Sequence, residues 1–212
     1  MINELLMRYP MLRAVRAELE HAVDMMYDTY QHGGKILLCG NGGSCADCEH
    51  IVGELMKGFL LERRLTKQER KKFDGVCENP EEFAGRLQRA IPAISLPSQC
   101  AVLSAFINDV EPDMAYAQLT FGYGKKGDVL IGISTSGNAK NVVNAVRTAK
   151  ALGMKTIGLT GSSESAMSEL CDCVLHAPST ETYKIQEYHL PIYHFLCAEL
   201  EKRAFKEMEG VK

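Results

Sequence analysis

The sequence predicts an α/β protein: a doubly wound, mostly parallel five-stranded sheet flanked by helices, with long helices near both ends of the chain. Two observations carry this reading. Five short apolar runs, at 35–39, 91–96, 128–133, 155–159 and 173–176, are continuous rather than alternating, as in strands buried on both faces of a parallel sheet. Between them lie stretches whose apolar residues recur at three- and four-residue steps, and strands that alternate with helices build such sheets.

From Asn3 to about Tyr30, Leu5, Leu6, Tyr9, Leu12, Val15, Leu19, Val23 and Met26 predict one long amphipathic helix, stopped by Gly33 and Gly34. Strand Lys35–Cys39 follows, then a helical pattern over 44–59. The segment 60–90 breaks the rhythm, since 14 of its 31 residues are Asp, Glu, Lys or Arg. Thr66-Lys67-Gln68-Glu69 has the form of a capping box, and Asn79-Pro80-Glu81-Glu82 sets a cap, a first-turn proline and acidic residues in order. Two short helices in a solvated, charged excursion are expected. Ile91–Leu96 is a weaker strand and Asp128–Ile133 a strong one; helical patterns cover 98–107, 112–122, 139–152 and 164–170. A long helix from about Thr182 to Lys206 closes the chain. No internal repeat or linker divides it, so 1–212 reads as a single domain.

Composition narrows the function. The 24 basic and 27 acidic residues leave a net charge of −3, without the basic excess that a nucleic-acid binder needs. The apolar runs fall far short of the ~20 residues of a membrane span, and Asn3 and Glu4 stand where a signal peptide carries basic residues. A soluble cytoplasmic protein is expected. Eight cysteines in a chain of this length, with Cys39, Cys171, Cys173 and Cys197 in apolar stretches, read as reduced packing thiols. Cys45 and Cys48 have redox or zinc spacing, but no second pair completes a four-sulfur site.

In such sheets ligands sit beyond the carboxyl ends of the strands. After the first strand, Gly40-Asn41-Gly42-Gly43-Ser44 leads into a helix. Its glycines allow close backbone approach, and the helix start attracts anions. The loop lacks the endings of a P-loop and of a dinucleotide fingerprint. After the third strong strand, Ser134-Thr135-Ser136-Gly137-Asn138 presents three hydroxyls where a helix cap needs one, a phosphate-binding pattern. Asn108-Asp109, between helical stretches, is a third polar candidate or an Asx turn.

These loops, with His50-Ile51-Val52-Gly53-Glu54-Leu55, Asn108-Asp109 and Ile185-Gln186-Glu187-Tyr188-His189 with His194 beyond, resemble the sugar isomerase (SIS) domain family. Within it the chain is similar to the phosphoheptose isomerase branch, over nearly its whole length. The resemblance implies ketose–aldose isomerisation of sedoheptulose 7-phosphate in a homotetramer whose sites form between subunits, with one zinc ion per subunit. It places substrate contacts on Asn41, Gly42, Gly43, Ser44, Glu54, Asn108, Asp109, Ser134, Thr135, Ser136 and Gln186. Metal ligands fall on His50, Glu54, Gln186 and His194, and the acid–base pair on Glu54 and His194. Two features depart from the family pattern: Ala139 stands where it has a serine, and the excursion 60–90 is longer.

The residues themselves support that chemistry. Moving a proton between adjacent carbons through an enediol requires a base and an acid, and Glu54 and His194 are suitable types. His50 and Glu54, four apart, share a helix face. His194 lies in the apolar stretch 190–197, where it must hydrogen-bond or coordinate. Gln186 and His194 are separated by about 12 Å of helix rise, so one ion reaches both only across a kink or by inclined side chains; Pro191 lies between them. A non-catalytic phosphosugar-binding SIS regulator is the alternative, as is an isomerase of another ketose phosphate. The presence of both Glu54 and His194 favours the enzyme.

Overall fold

The computed structural model describes residues 1–205. The chain forms α1 (Ile2–Arg8), a 3-10 turn (Pro10–Val15), α2 (Arg16–Gln31), β1 (Ile36–Gly40), α3 (Gly43–Met56), α4 (Lys67–Arg70), α5 (Pro80–Gly85), β2 (Ala93–Ser95), α6 (Cys100–Asp109), α7 (Ala115–Tyr123), β3 (Val129–Ile133), α8 (Lys140–Ala151), β4 (Lys155–Thr160), α9 (Ala166–Leu170), β5 (Cys173–His176) and α10 (Thr182–Phe205). The expected end of the last helix, Lys206, lies outside the described residues.

All five strands are parallel, in the order β2-β1-β3-β4-β5. Strand side chains alternate between two cores. Ile36, Leu38, Ile131 and Ile133 face a layer built from α1, α2, α3 and α10, whereas Leu37, Cys39 and Leu130 face Tyr116, Leu119, Val142, Val146 and Met167 of α7, α8 and α9. The order reverses between β1 and β3, which are in register from Ile36↔Val129 to Gly40↔Ile133. Their carboxyl ends therefore open side by side at the topological switch point, where such sheets hold ligands.

The N-terminal stretch differs from the single helix expected over 3–30. Pro10 cannot donate to a preceding turn and disfavours helical geometry in Tyr9, whose φ and ψ are −127° and 73°. The chain breaks there, tightens into the 3-10 turn and resumes as α2. In the excursion the Thr66–Glu69 capping box forms with both of its hydrogen bonds, while Asn79 caps α5 without a side-chain bond. The charged face is not wholly solvated, because Arg63 is among the most buried side chains. All eight cysteines are free. Burial pushes the thiols of Cys45 and Cys48 up, away from the reactive thiolate. Among the described residues, no helix is long and apolar enough to cross a membrane.

Candidate active site

The two glycine- and hydroxyl-rich loops meet at the switch point. Gly42 adopts φ +56°, and α3 starts at the next residue. Tyr116 Oη donates to Gly40 O (2.7 Å) and fixes the strand end beneath the turn. Asn41, Gly42 and Gly43 are exposed and Ser44 is buried. In the second loop Ser134 is buried, Thr135 half-buried and Ser136 exposed. Ser136 Oγ lies 3.5 Å from Ser134 Oγ and accepts from Asn138 N (3.2 Å). This loop opens into a helix as expected. Ala139 is the N-cap and α8 begins at Lys140.

A reciprocal amide pair ties the loops together. Asn41 Nδ2 donates to Asn141 Oδ1 and Asn141 Nδ2 to Asn41 Oδ1, each at 2.9 Å. Gln186 packs its carboxamide against the same turn: a Cβ on Gly43 would come within 2.6 Å of Gln186 Nε2, so any side chain there would displace the carboxamide from its place. Asn41 to Ser44, Ser134 to Ser136 and Gln186 thus gather at the carboxyl ends of β1 and β3. Asn108 and Asp109 are the last two residues of α6 rather than a loop between helices. Both are exposed, and Asn108 Nδ2 donates to Asp109 Oδ1 (2.8 Å).

The second part of the site lies further along α3, where it packs on α10. His50 Nε2 is 3.3 Å from Glu54 Oε1 and 3.4 Å from His194 Nε2. The helical spacing of four brings the first pair together; the contact between α3 and α10 supplies the second. Lys57 Nζ donates to the other oxygen of Glu54 (3.1 Å). Burial and the neighbouring His50 hold His194 below the ordinary imidazole range, against the pull of Glu54. His194 packs between the rings of His50 and Phe59, with centroids 5.0 and 5.6 Å away. His50, Glu54 and His194 come together without Gln186, which stands at the Gly43 turn two helical turns earlier on α10.

Sequence reasoning missed the residues behind this trio. His50 Nδ1 is 2.9 Å from Tyr193 Oη, and Tyr193 also hydrogen-bonds Asp47. Burial and the Asp47 carboxylate push the phenol well above its usual range. Tyr193 thus links His50 Nδ1 to Asp47, which fixes the orientation of the imidazole ring and turns its Nε2 toward Glu54 and His194. Asp47 lies three residues before His50 on α3, so a polar residue on the same helix face was the available signal. Nothing marked Tyr193 except its place beside His194.

The family of proteins resembled above implies a metal, and the trio fits one in part. Separations of 3.3 and 3.4 Å are close to the about 3.3 Å between neighbouring ligands of a tetrahedral ion with bonds of ~2 Å. Imidazole nitrogen and carboxylate oxygen are also ligand types that such an ion takes. As placed here the trio is not a ready-made site: among the described residues, no group of three or more His, Cys, Asp and Glu side chains is arranged to hold a metal ion.

Comparison with known proteins identifies the family. Two SIS domain models match, over residues 7–75 and 99–194. The phosphoheptose isomerase of Aliarcobacter butzleri is 39% identical over 186 residues, covering 88% of this chain and 85% of that one. That of Helicobacter pylori is 37% identical over 191 residues, covering 90% and 86%. Among solved structures, a phosphoheptose isomerase from Francisella tularensis superposes with a TM-score of 0.76 at 28% identity, covering 92% of this chain and 91% of that one. Sequence, topology and the loops at the switch point agree: this chain belongs to the phosphoheptose isomerase family of SIS-domain proteins.

Proposed function

We propose that the protein is an aldose–ketose isomerase that interconverts sedoheptulose 7-phosphate and D-glycero-D-manno-heptose 7-phosphate. The observation that carries this reading is the meeting of Glu54 and His194, from two different helices, on either side of His50 Nε2 at 3.3 and 3.4 Å. The phosphate rests in the crevice at the switch point, on the hydroxyls of Ser134, Thr135 and Ser136 and the turn from Asn41 to Ser44. Gln186, at the base of that turn, stands between the phosphate end and the reacting end. Glu54 and His194 then exchange a proton between the two carbons and serve their oxygens; His194, held below its ordinary range, is neutral near pH 7 and ready to accept.

A zinc ion, one per subunit, belongs to the same reading, on His50, Glu54 and His194 with Gln186 as the fourth residue that the resemblance assigns. When bound it would polarise the sugar carbonyl. The spacing and ligand types of the trio support it. A homotetramer with sites shared between subunits is supported by α6, which buries none of its ten residues although it is largely apolar, and which ends in Asn108-Asp109. Eight free cysteines support a reducing, cytoplasmic setting.

The test uses purified protein and a panel of C5 to C7 ketose phosphates. Sedoheptulose 7-phosphate is expected to turn over, and Glu54→Gln is expected to lower kcat at least about a hundredfold while sugar-phosphate binding persists. Full activity of Glu54→Gln removes that residue from the mechanism. Turnover of another ketose phosphate in preference redirects the substrate, the outcome that Ala139 and the long excursion would explain. Elemental analysis beside the activity of chelated protein decides the metal: full activity without zinc makes the ion dispensable.

A further inference from the structure

Arg63 and Glu201 form an ion pair with both side chains completely buried, Nε to Oε1 at 2.7 Å, and neither belongs to the site described above. A buried pair of this kind is costly unless every donor and acceptor is used, and here their hydrogen bonds run to the backbone around Glu54. Arg63 Nη1 donates to Leu55 O (2.6 Å) and Nη2 to Glu54 O (3.0 Å). These carbonyls belong to the last turn of α3, which ends at Met56 and leaves its final carbonyls without helical partners. A guanidinium at that point satisfies two of them and places positive charge at the negative end of the helix.

Glu201 supports Arg63 and organises the start of the excursion. Its Oε1 accepts from Phe59 N (2.8 Å), and its Oε2 from Leu60 N (2.7 Å) and Leu61 N (3.1 Å). The returning strand of the excursion closes on the same point, with Arg89 N donating to Arg63 O (2.7 Å) and Ile91 N to Leu55 O (2.9 Å). Glu201 lies on α10 two turns beyond His194. The pair therefore joins the two helices that carry Glu54 and His194, just past the residues themselves.

We infer that Arg63, held by Glu201, is a positioning residue that sets the last turn of α3 so that Glu54 faces His50 and His194, and that the charged excursion is anchored to the catalytic centre through it. This rests on the reading of Glu54 as an acid–base residue. Arg63 is buried away from the surface and acts through the backbone of Glu54. Displacing a reacting group by about 1 Å is enough to cost a large factor in rate.

The experiment compares Arg63→Lys, which keeps the charge toward Glu201 and loses the two-pronged grip on the carbonyls, with Glu201→Gln, which keeps the shape and the acceptor oxygen. Each is measured alone and in the Glu54→Gln background, in protein whose circular dichroism and elution match wild type. Folded Arg63→Lys is expected to lose kcat about tenfold with KM unchanged within about twofold, and to lose nothing further once Glu54 is Gln. Should the lysine variant not fold, Glu201→Gln carries the same expectation. Wild-type kcat in either folded variant while Glu54→Gln is inactive overturns this inference alone. Equal losses with and without the Glu54 carboxylate also overturn it, since they mean a general structural role. Full activity of Glu54→Gln removes the reading beneath it, an outcome separate from the other two.

Discussion

His189 is buried and keeps only one of its ring nitrogens satisfied, with Nε2 3.3 Å from Thr160 O and Nδ1 without a partner. Burial lowers its pKa to about 4, so the ring is neutral in the folded protein. In the unfolded chain it takes up a proton near its ordinary 6.5. The unfolded state thus binds more protons as pH falls through that window, and stability present above pH 6.5 is lost progressively toward pH 4. The expected penalty from this residue is about 2 kcal/mol between pH 7 and pH 5. Urea unfolding at the two pH values measures it, and comparison with His189→Leu isolates it from the carboxylates. Asp28 is held below its usual range by Lys155, and Asp172 by its bonds to Lys150 and Thr156. A leucine variant as pH-sensitive as wild type would refute the assignment.

In the loop 134–139, backbone geometry and not hydroxyl chemistry alone shapes the cradle proposed for the phosphate. Gly137 sits at φ +65°, and a Cβ there would meet Ser165 Oγ at 2.0 Å and Ser165 Cβ at 2.5 Å. Asn138 Oδ1 also accepts from Ala166 N (2.9 Å), so the loop is braced against the start of α9. Gly137→Ala is expected to cost about 2 kcal/mol, a fall in Tm of roughly 4–8 °C, and to raise KM for the sugar phosphate more than it lowers kcat. An unchanged melting curve would show that the loop yields freely. The strands, the capping box and the helix starting at Gly43 were legible because each has a local signal: an apolar run, a side-chain cap, a glycine turn. Pro10 was equally visible, yet the continuous apolar spacing outweighed it and hid the break between α1 and α2. The contacts of His50 with Tyr193 and His194, and of Arg63 with Glu201, were not legible. They join residues more than 130 positions apart and arise only when α3 packs on α10.

The distribution of apolar surface bears on assembly. α6 carries Val102 and Ile107, with Val110 just beyond; these are 43%, 48% and 65% exposed, and the helix has no buried residue. Leu103 packs partly against the second core, but the other apolar side chains of the helix stay largely exposed, and several on one helix suit an interface better than a lone surface residue does. Asn108 and Asp109, which the resemblance places against substrate, lie at the end of this same helix, so an interface formed by α6 would carry them toward a neighbouring chain's crevice. Ile107→Glu puts a charge into that contact without disturbing either core, since Ile107 packs in neither. It is expected to shift the protein from four times the 23.5 kDa chain mass to a smaller species by light scattering, with the circular dichroism of wild type and at least about tenfold lower kcat/KM. A variant that stays tetrameric and fully active would show that α6 is not the contact. Wild-type protein active at the mass of one chain would show that each subunit completes its own site.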